Sequence, residues 1–174
     1  MKRLLVLLLL FAWAPPLRGQ STIESRSRTG VSVVPALLAS IGSGAGSGLG
    51  VAGHLVVAPG PHRFTARLAG VADLRGFPDA GGAEHVTELA LLYGRGRRGG
   101  AVAWSLSGGV ASVRISDCGE GGSNRACTTV GVPVVAHAVV ASRFVGIGLQ
   151  LFANLNPRAP FGGIGVVVPL GWMP

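Results

Sequence analysis

The sequence has few charged groups for its length. Charged residues make up 13% of the 174 residues, and only 7 of them are acidic. A soluble domain carries about a quarter of its residues as Asp, Glu, Lys or Arg. Since hydrophobic residues make up 48% of the chain, we expect much of its surface to face something other than water.

The positive charge does not indicate a nucleic-acid partner. The formal charge is +8, but Lys2, Arg3 and Arg18 lie in an N-terminal segment that we expect to be removed, which leaves 12 basic residues against 7 acidic ones. The remaining arginines form no single stripe interleaved with aromatics, and many lie in turn-like places. These are Arg63, Arg95, Arg97, Arg98 and Arg143.

Cysteine is also scarce. Cys118 and Cys127 are the two cysteines, and in an exported protein two neighbouring cysteines indicate one disulfide. No Cys/His spacing supplies the ligands of a metal site. We predict a Cys118–Cys127 bridge, no metal and no cofactor.

The one long uncharged apolar run lies at the N-terminus. Lys2 and Arg3 precede an apolar stretch over 4–13, and Gly19 offers a small residue for cleavage. This pattern predicts a signal peptide over 1–20, followed by a polar segment over 21–30. An uncleaved anchor is the alternative, but the apolar stretch is short for a spanning helix.

The rest of the chain alternates with period two. Residues 130–155 are apolar, but a helix there would bury Pro133, His137 and Arg143 in lipid, so strands fit better. One face of each segment is bulky and aliphatic, whereas the other is small or polar. Strands are predicted near 31–40, 49–57, 64–73, 87–94, 102–110, 130–138, 145–154 and 164–172.

The two faces predict the environment. A soluble barrel would turn the aliphatic face inward and leave Gly, Ser and Ala in water, whereas a membrane barrel turns it toward lipid. The pattern favours an all-β, eight-stranded, antiparallel, up-and-down transmembrane β-barrel over 31–174, preceded by the signal peptide. The alternative is a soluble periplasmic barrel of lipocalin type that binds an apolar ligand.

Polar residues of the small face are expected in the barrel interior. Eight strands leave an interior that side chains can fill, so we predict no open pore. The predicted interior polar residues are His54, Arg67, Glu88, His137, Gln150 and Asn154. Pro133 and Pro169 fall inside predicted strands, which indicates bulges there or different strand limits.

Loop lengths and aromatic positions suggest an orientation. Short connections would face the periplasm and long ones the exterior, where the loops over 74–86 and 115–127 could meet a partner. Aromatic residues near the periplasmic ends of strands are expected at the membrane interface. They are Phe64, Tyr93, Phe144 and Trp172.

Three stretches carry a resemblance to a known group. "LLYGRGRRGG", "FVGIGLQLFANLN" and the closing "FGGIGVVVPLGW" resemble the small outer-membrane β-barrel domain family, similar to OmpX and the OmpA transmembrane domain. The resemblance implies location in the outer membrane of a Gram-negative bacterium, contact with its lipid and insertion by its assembly machinery. Such barrels commonly end on an aromatic residue that this machinery reads, and Trp172 is near that position.

A structural or interaction role is predicted, with no enzymatic activity. The alternative is a lipid-modifying barrel enzyme, for which Ser105, Ser107, His137 and Glu88 would be the nearest set. Glu88 and His137 are expected near opposite ends of their strands, however. A strand rises about 3.3 Å per residue, so these two side chains should lie far apart.

Overall fold

The computed structural model describes residues 29–42, 46–73, 85–116 and 126–172. Every element in these ranges is a β-strand. The strands are β1 (Thr29–Gly42), β2 (Gly46–Pro59), β3 (His62–Asp73), β4 (His85–Gly99), β5 (Val102–Ile115), β6 (Cys127–Ala141), β7 (Gly146–Leu155), β8 (Phe161–Val167) and β9 (Leu170–Trp172). In the described part of the chain, no helix is long and apolar enough to cross a membrane.

The strands form because their side chains alternate between two environments. In β4, Leu89 and Leu91 are 60% and 65% exposed, whereas Glu88 and Ala90 are 1% exposed. Successive residues of a strand point to opposite faces. The alternation therefore turns the large aliphatic side chains outward and the small or polar ones inward, as the sequence predicts for a membrane barrel.

The sheet closes on itself. Each strand from β2 to β8 pairs antiparallel with the next, and β1 pairs with β2 on one side and with β8 and β9 on the other. β8 and β9 occupy the same edge of β1 and act as one strand interrupted near Pro169. The predicted eight-stranded, antiparallel, up-and-down barrel is thus confirmed.

The closure is staggered. We follow the paired residues from strand to strand, starting at Val31 of β1 and going once round the barrel. The path returns to β1 at Ile41, ten residues beyond its starting point. Such a stagger tilts the strands by roughly 35–45° to the barrel axis. Because of the tilt, interior residues at the same height along the barrel axis occupy different positions within their strands.

Of the two alternatives predicted at the prolines, a bulge or different strand limits, the structure shows different limits at Pro169 and a bulge at neither. At Pro133 the β5–β6 ladder skips two positions and resumes in the same register on both sides. At Pro169 the last strand breaks into β8 and β9, again without a change of register against β1. Proline lacks an N–H, so each position removes ladder bonds, and neither needs an inserted residue.

Several strands extend beyond their predicted limits. β1 begins at Thr29 within the segment predicted to be polar, and β4 runs to Gly99, so most of the stretch between the strands predicted near 87–94 and 102–110 is also strand. Only Gly100 and Ala101 separate β4 from β5. Gly100, like Gly60 between β2 and β3, has a positive φ (64° and 62°), which glycine adopts without steric cost.

The barrel therefore has two different ends. The β2–β3, β4–β5 and β6–β7 turns lie at one end, which we call the short-turn end. The strand ends at Gly42 and Gly46, Asp73 and His85, Ile115 and Cys127, and Leu155 and Phe161 lie at the other, which we call the long-loop end.

Candidate functional site in the barrel lumen

An ion pair lies in the middle of the lumen. Arg67 on β3 donates to Glu88 on β4, and both side chains are about fully buried. Asn154 on β7 reaches across the interior, and its Nδ2 donates to Glu88 Oε2 at 2.7 Å. Both carboxylate oxygens of Glu88 thus accept a hydrogen bond, which is how a buried charge is tolerated.

The network continues toward the long-loop end. Asn156 Nδ2 lies 3.2 Å from Asn154 Oδ1 and 2.8 Å from the carbonyl oxygen of Ala159, while its Oδ1 accepts from the Ala159 N–H at 2.7 Å. The Arg67 guanidinium also lies 5.3 Å from the centre of the Phe152 ring. One chain of contacts therefore connects β3, β4 and β7 with the last long-loop connection.

A second row of polar residues lies nearer the short-turn end. Ser105, His137 and Gln150 are paired neighbours on β5, β6 and β7. Ser105 Oγ is 3.4 Å from His137 Nδ1, and His137 Nε2 is 3.2 Å from Gln150 Oε1. His54 from β2 meets this row edge-on, with its ring centre 5.4 Å from that of His137.

Some buried polar atoms in this region lack a hydrogen-bond partner among the described residues. They are both ring nitrogens of His54, Nε and one Nη of Arg67, and Nε2 of Gln150. His54 is only 2% exposed and Gln150 is 0% exposed. The middle of the lumen therefore offers more polar groups than it pairs internally.

The structure places five of the six predicted interior residues in full burial. These are His54, Arg67, Glu88, Gln150 and Asn154. His137 is half-buried within the second row. All six contribute to the two rows described above.

The candidate hydrolase set is only partly assembled. Ser105 and His137 lie together, but Glu88 is engaged with Arg67 and Asn154 instead. The third member of the row is the neutral amide of Gln150, and Ser105 Oγ accepts a hydrogen bond from Arg63 at 2.8 Å. No group of three or more metal-ligating side chains occurs in the described ranges.

Arg63, like Asn156, is an interior polar residue outside the predicted set. Its neighbours Pro59, Gly60 and Pro61 suggested a turn, yet β3 begins at His62 and the Arg63 side chain enters the lumen to reach Ser105. The alternation of side chains along β3 could have identified Arg63 as an interior residue. Arg63 has the same parity as Thr65 and Arg67, both of which are buried inside the barrel.

Aromatic residues mark the outer surface near the short-turn end. Phe64 and Tyr93 are cross-strand neighbours with ring centres 5.3 Å apart, and both are about half exposed. Phe144 is 56% exposed in the β6–β7 turn, and Trp104, which was not predicted here, is 53% exposed. The Trp172 side chain lies outside the described part, and the interface role of all these residues stays a prediction.

Other predicted features also fall outside the described residues. The signal peptide over 1–20, Cys118 and most of the two long loops, residues 74–84 and 117–125, are among them. Cys127 is the first residue of β6. The bridge and the loop partner therefore stay predictions.

The closed barrel, its outward aliphatic face and its polar interior define the fold of small outer-membrane β-barrels. Neisserial surface protein A is similar, with a TM-score of 0.64 at 15% identity over 83% of this chain and 97% of that one. Ail of Yersinia pestis, in complex with the heparin analogue sucrose octasulfate, gives 0.56 at 11% over 83% and 96%. The N-terminal β-barrel domain of Pseudomonas aeruginosa OprF gives 0.55 at 13% over 82% and 100%.

These likenesses confirm the fold that the resemblance implied. No protein-family model matches the sequence, and no curated protein matches it.

Proposed function

We propose that this chain is an integral protein of the bacterial outer membrane with a structural or interaction role and no open pore. The outer surface of the barrel is the observation that carries the proposal. Large apolar side chains on the strands are about half exposed or more, for example Leu37 at 69% and Val130 at 72%. Such a surface is incompatible with water and suits the hydrocarbon of a bilayer.

The filled interior supports the absence of a pore. The row of Ser105, His137 and Gln150 and the network of Arg67, Glu88 and Asn154 cross the lumen at different heights. Eight strands give an interior just wide enough for such side chains. Planar-bilayer recording of the purified protein should show no reproducible unit conductance, and large regular steps would contradict this part of the proposal.

Fractionation tests the location. The mature chain should separate with outer membranes and require detergent to stay in solution, and its circular dichroism in detergent should be that of strand. A chain that stays soluble and folded without detergent would instead support the lipocalin-like alternative.

A charge on the outer surface gives a residue-level test. Leu91 is 65% exposed in the middle of β4, where an arginine facing lipid costs roughly 2–4 kcal/mol. Leu91→Arg should therefore lower the free energy of unfolding in a bilayer by about that amount. Leu91→Ala is the matched control, because it shortens the side chain without adding charge, and an equal loss in both variants would argue against a lipid-facing surface.

The long loops are the proposed interaction surface. They leave the barrel at the end opposite the short turns, and the exposed side chains of Arg114 and Arg158 lie at this end. Since Ail has been observed with a heparin analogue, heparin is a reasonable first probe. Arg114→Gln and Arg158→Gln should each reduce retention on immobilised heparin if this end of the barrel binds such polyanions.

A hydrolase is the second candidate, and the contact between Ser105 and His137 is the observation that favours it. A fluorophosphonate probe should then label the protein, and Ser105→Ala should abolish the label while Ser107→Ala keeps it. Absence of Ser105 labelling in folded protein would leave the structural role as the better account.

A further inference from the structure

The outer surface of β4 changes along the strand. In its middle the outward side chains are Leu89 and Leu91, which are 60% and 65% exposed. Toward the short-turn end the same face carries Tyr93, Arg95 and Arg97, all of them exposed. The order along the strand is therefore aliphatic, then aromatic, then basic, which matches the passage from the hydrocarbon of a bilayer to its phosphate groups.

Arg95 and Arg97 border the aliphatic surface side by side. Alternate residues of a strand share a face and lie about 7 Å apart, so both guanidinium groups can reach one small anion. Their ladder partners on β5 are Leu106 and Trp104, which are 47% and 53% exposed. Each arginine thus has a large apolar side chain as its cross-strand neighbour.

A groove in the outer surface lies beside Arg97. It is lined by Arg97, Gly99, Val102 and Trp104. A Cβ built on Gly99 would meet no atom within 4 Å, so the space above this glycine is open to the surroundings of the barrel. Since its lining combines a guanidinium group with Trp104 and Val102, the groove suits a ligand that is both anionic and apolar.

A fixed group of aromatic rings borders the arginines on the β3 side. His62 is paired with Arg95 in the ladder, but its ring stacks on Tyr93, and its Nδ1 lies 2.7 Å from the Tyr93 hydroxyl oxygen. Phe64 packs against Tyr93 with ring centres 5.3 Å apart. These contacts orient the rings before any ligand binds, which reduces the entropic cost of binding.

The acidic residues in the described part of the chain lie away from this surface. They are Asp73, which ends β3 at the long-loop end, and Glu88, whose side chain is buried in the lumen. Within the described ranges, the outer surface at the short-turn end is therefore basic and carries no carboxylate. A phosphate group beside it would supply the counter-charge, and the planar guanidinium fork matches the phosphate oxygens.

The charge of the two arginines selects among headgroups. A zwitterionic headgroup brings its own ammonium group, which two neighbouring guanidinium groups repel, whereas an anionic headgroup has no cation to place. An anionic phospholipid is therefore favoured over phosphatidylcholine. The acyl chains of the same lipid would lie on the aliphatic surface that begins at Leu91 and Leu106.

We propose that the outer surface formed by Arg95, Arg97 and Trp104 binds the headgroup of an anionic phospholipid from the leaflet that surrounds the short turns. The two arginines bind the phosphate, and Trp104 lies against the region between headgroup and acyl chains. The inference rests on the proposed location in a membrane and adds to it a lipid preference at one place on the barrel.

The fluorescence of Trp104 reports on the lipid at this site. Trp13→Phe/Trp172→Phe leaves Trp104 as the reporter among the three tryptophans, and the protein is folded into phosphatidylcholine vesicles that contain phosphatidylglycerol. Bromine atoms on the acyl chains of one lipid or the other quench a neighbouring tryptophan. Brominated phosphatidylglycerol should quench Trp104 as though enriched roughly fivefold over its bulk fraction, since one arginine near a membrane surface contributes about that factor.

Arg95→Gln/Arg97→Gln in the same background should remove this enrichment. Arg114→Gln is the matched control, because Arg114 is an exposed arginine on the outward face of β5 at the long-loop end, and it should keep the enrichment. Circular dichroism verifies folding, and if the double variant does not fold, Arg97→Gln is compared with the control instead. Equal quenching by the two brominated lipids, or equal loss of enrichment in the control, would overturn the proposal.

Insertion and lipid preference are measured separately. Flotation of the protein with vesicles of phosphatidylcholine alone tests the membrane location and needs no anionic lipid. A chain that floats with these vesicles but shows no enrichment of phosphatidylglycerol would overturn the lipid site and leave the proposed location intact. A chain that does not insert would contradict the location, and the lipid site with it.

Discussion

The two ends of the lumen differ in what fills them. At the long-loop end, Val71, Val86 and Ile115 are adjacent on β3, β4 and β5 and almost fully buried, and Phe161 packs nearby on β8. At the short-turn end lies a cavity whose lining is largely apolar and includes three arginines. The barrel is therefore closed at one end by apolar packing and by the internally paired amides of Asn154 and Asn156, and is left with a cavity at the other.

This difference shows that one closed sheet can hold a closely packed end and a more polar end. Apolar side chains in close contact leave no group that needs a ligand, so the long-loop end contributes stability. The polar end carries groups whose hydration is incomplete. The ion pair of Arg67 with Glu88 separates the two regions and is the element on which the difference depends.

Removing that ion pair should have the largest effect. Glu88→Leu leaves the guanidinium of Arg67 buried without its partner, which typically costs about 3–5 kcal/mol. We expect a loss of that size in the free energy of unfolding by urea in detergent. The double variant Arg67→Met/Glu88→Leu should recover most of it, and a double variant no more stable than the single one would show that the buried charge is not the cause.

The predicted disulfide would stabilise only the long-loop end. Cys127 begins β6, so a bridge to Cys118 would tie the third long connection to that strand. Replacing both cysteines with serine should lower the free energy of unfolding by roughly 2–3 kcal/mol. Alkylation without reductant, followed by intact-mass analysis of exported protein, checks the bridge, and two labelled thiols would refute it.

Matched valines compare the packing at the two ends. Val113 is 0% exposed and pairs directly with Glu88 across the β4–β5 ladder, whereas Val139 lines the short-turn cavity. Val113→Ala should cost roughly 2 kcal/mol because the close packing cannot refill the space. Val139→Ala enlarges an existing cavity and should cost less, about 1 kcal/mol. Equal losses in urea unfolding would indicate that both ends are packed alike.

The alternation of side chains was sufficient to predict the barrel. Leu89 and Leu91 on one face and Glu88 on the other already determine which side meets lipid, because a strand has a period of two. The strand limits were harder to predict. The sequence around Arg95, Arg97 and Arg98 predicts a turn, although β4 continues through these residues. Propensity cannot distinguish a polar strand end from a loop.

The partners inside the lumen could not be predicted from the sequence. Glu88 meets Arg67 and Asn154, which are 21 and 66 residues away. The stagger at closure determines which interior residues lie at the same height along the barrel axis. The alternation of side chains does not predict this stagger. Ser105 and His137, by contrast, are direct neighbours once the β5–β6 register is known, so a register alone would have revealed that pair.

The seam between the first and last strands has a mechanical consequence. The β1–β2 ladder is unbroken from Thr29 to Gly42, whereas the opposite edge of β1 is interrupted at Val34 and Pro35, where the Val168 N–H donates to the Pro35 carbonyl oxygen at 3.0 Å. Force applied to the C-terminus would meet its least resistance there. Pulled from a membrane by an atomic-force tip, the chain should unzip from this seam and come out hairpin by hairpin.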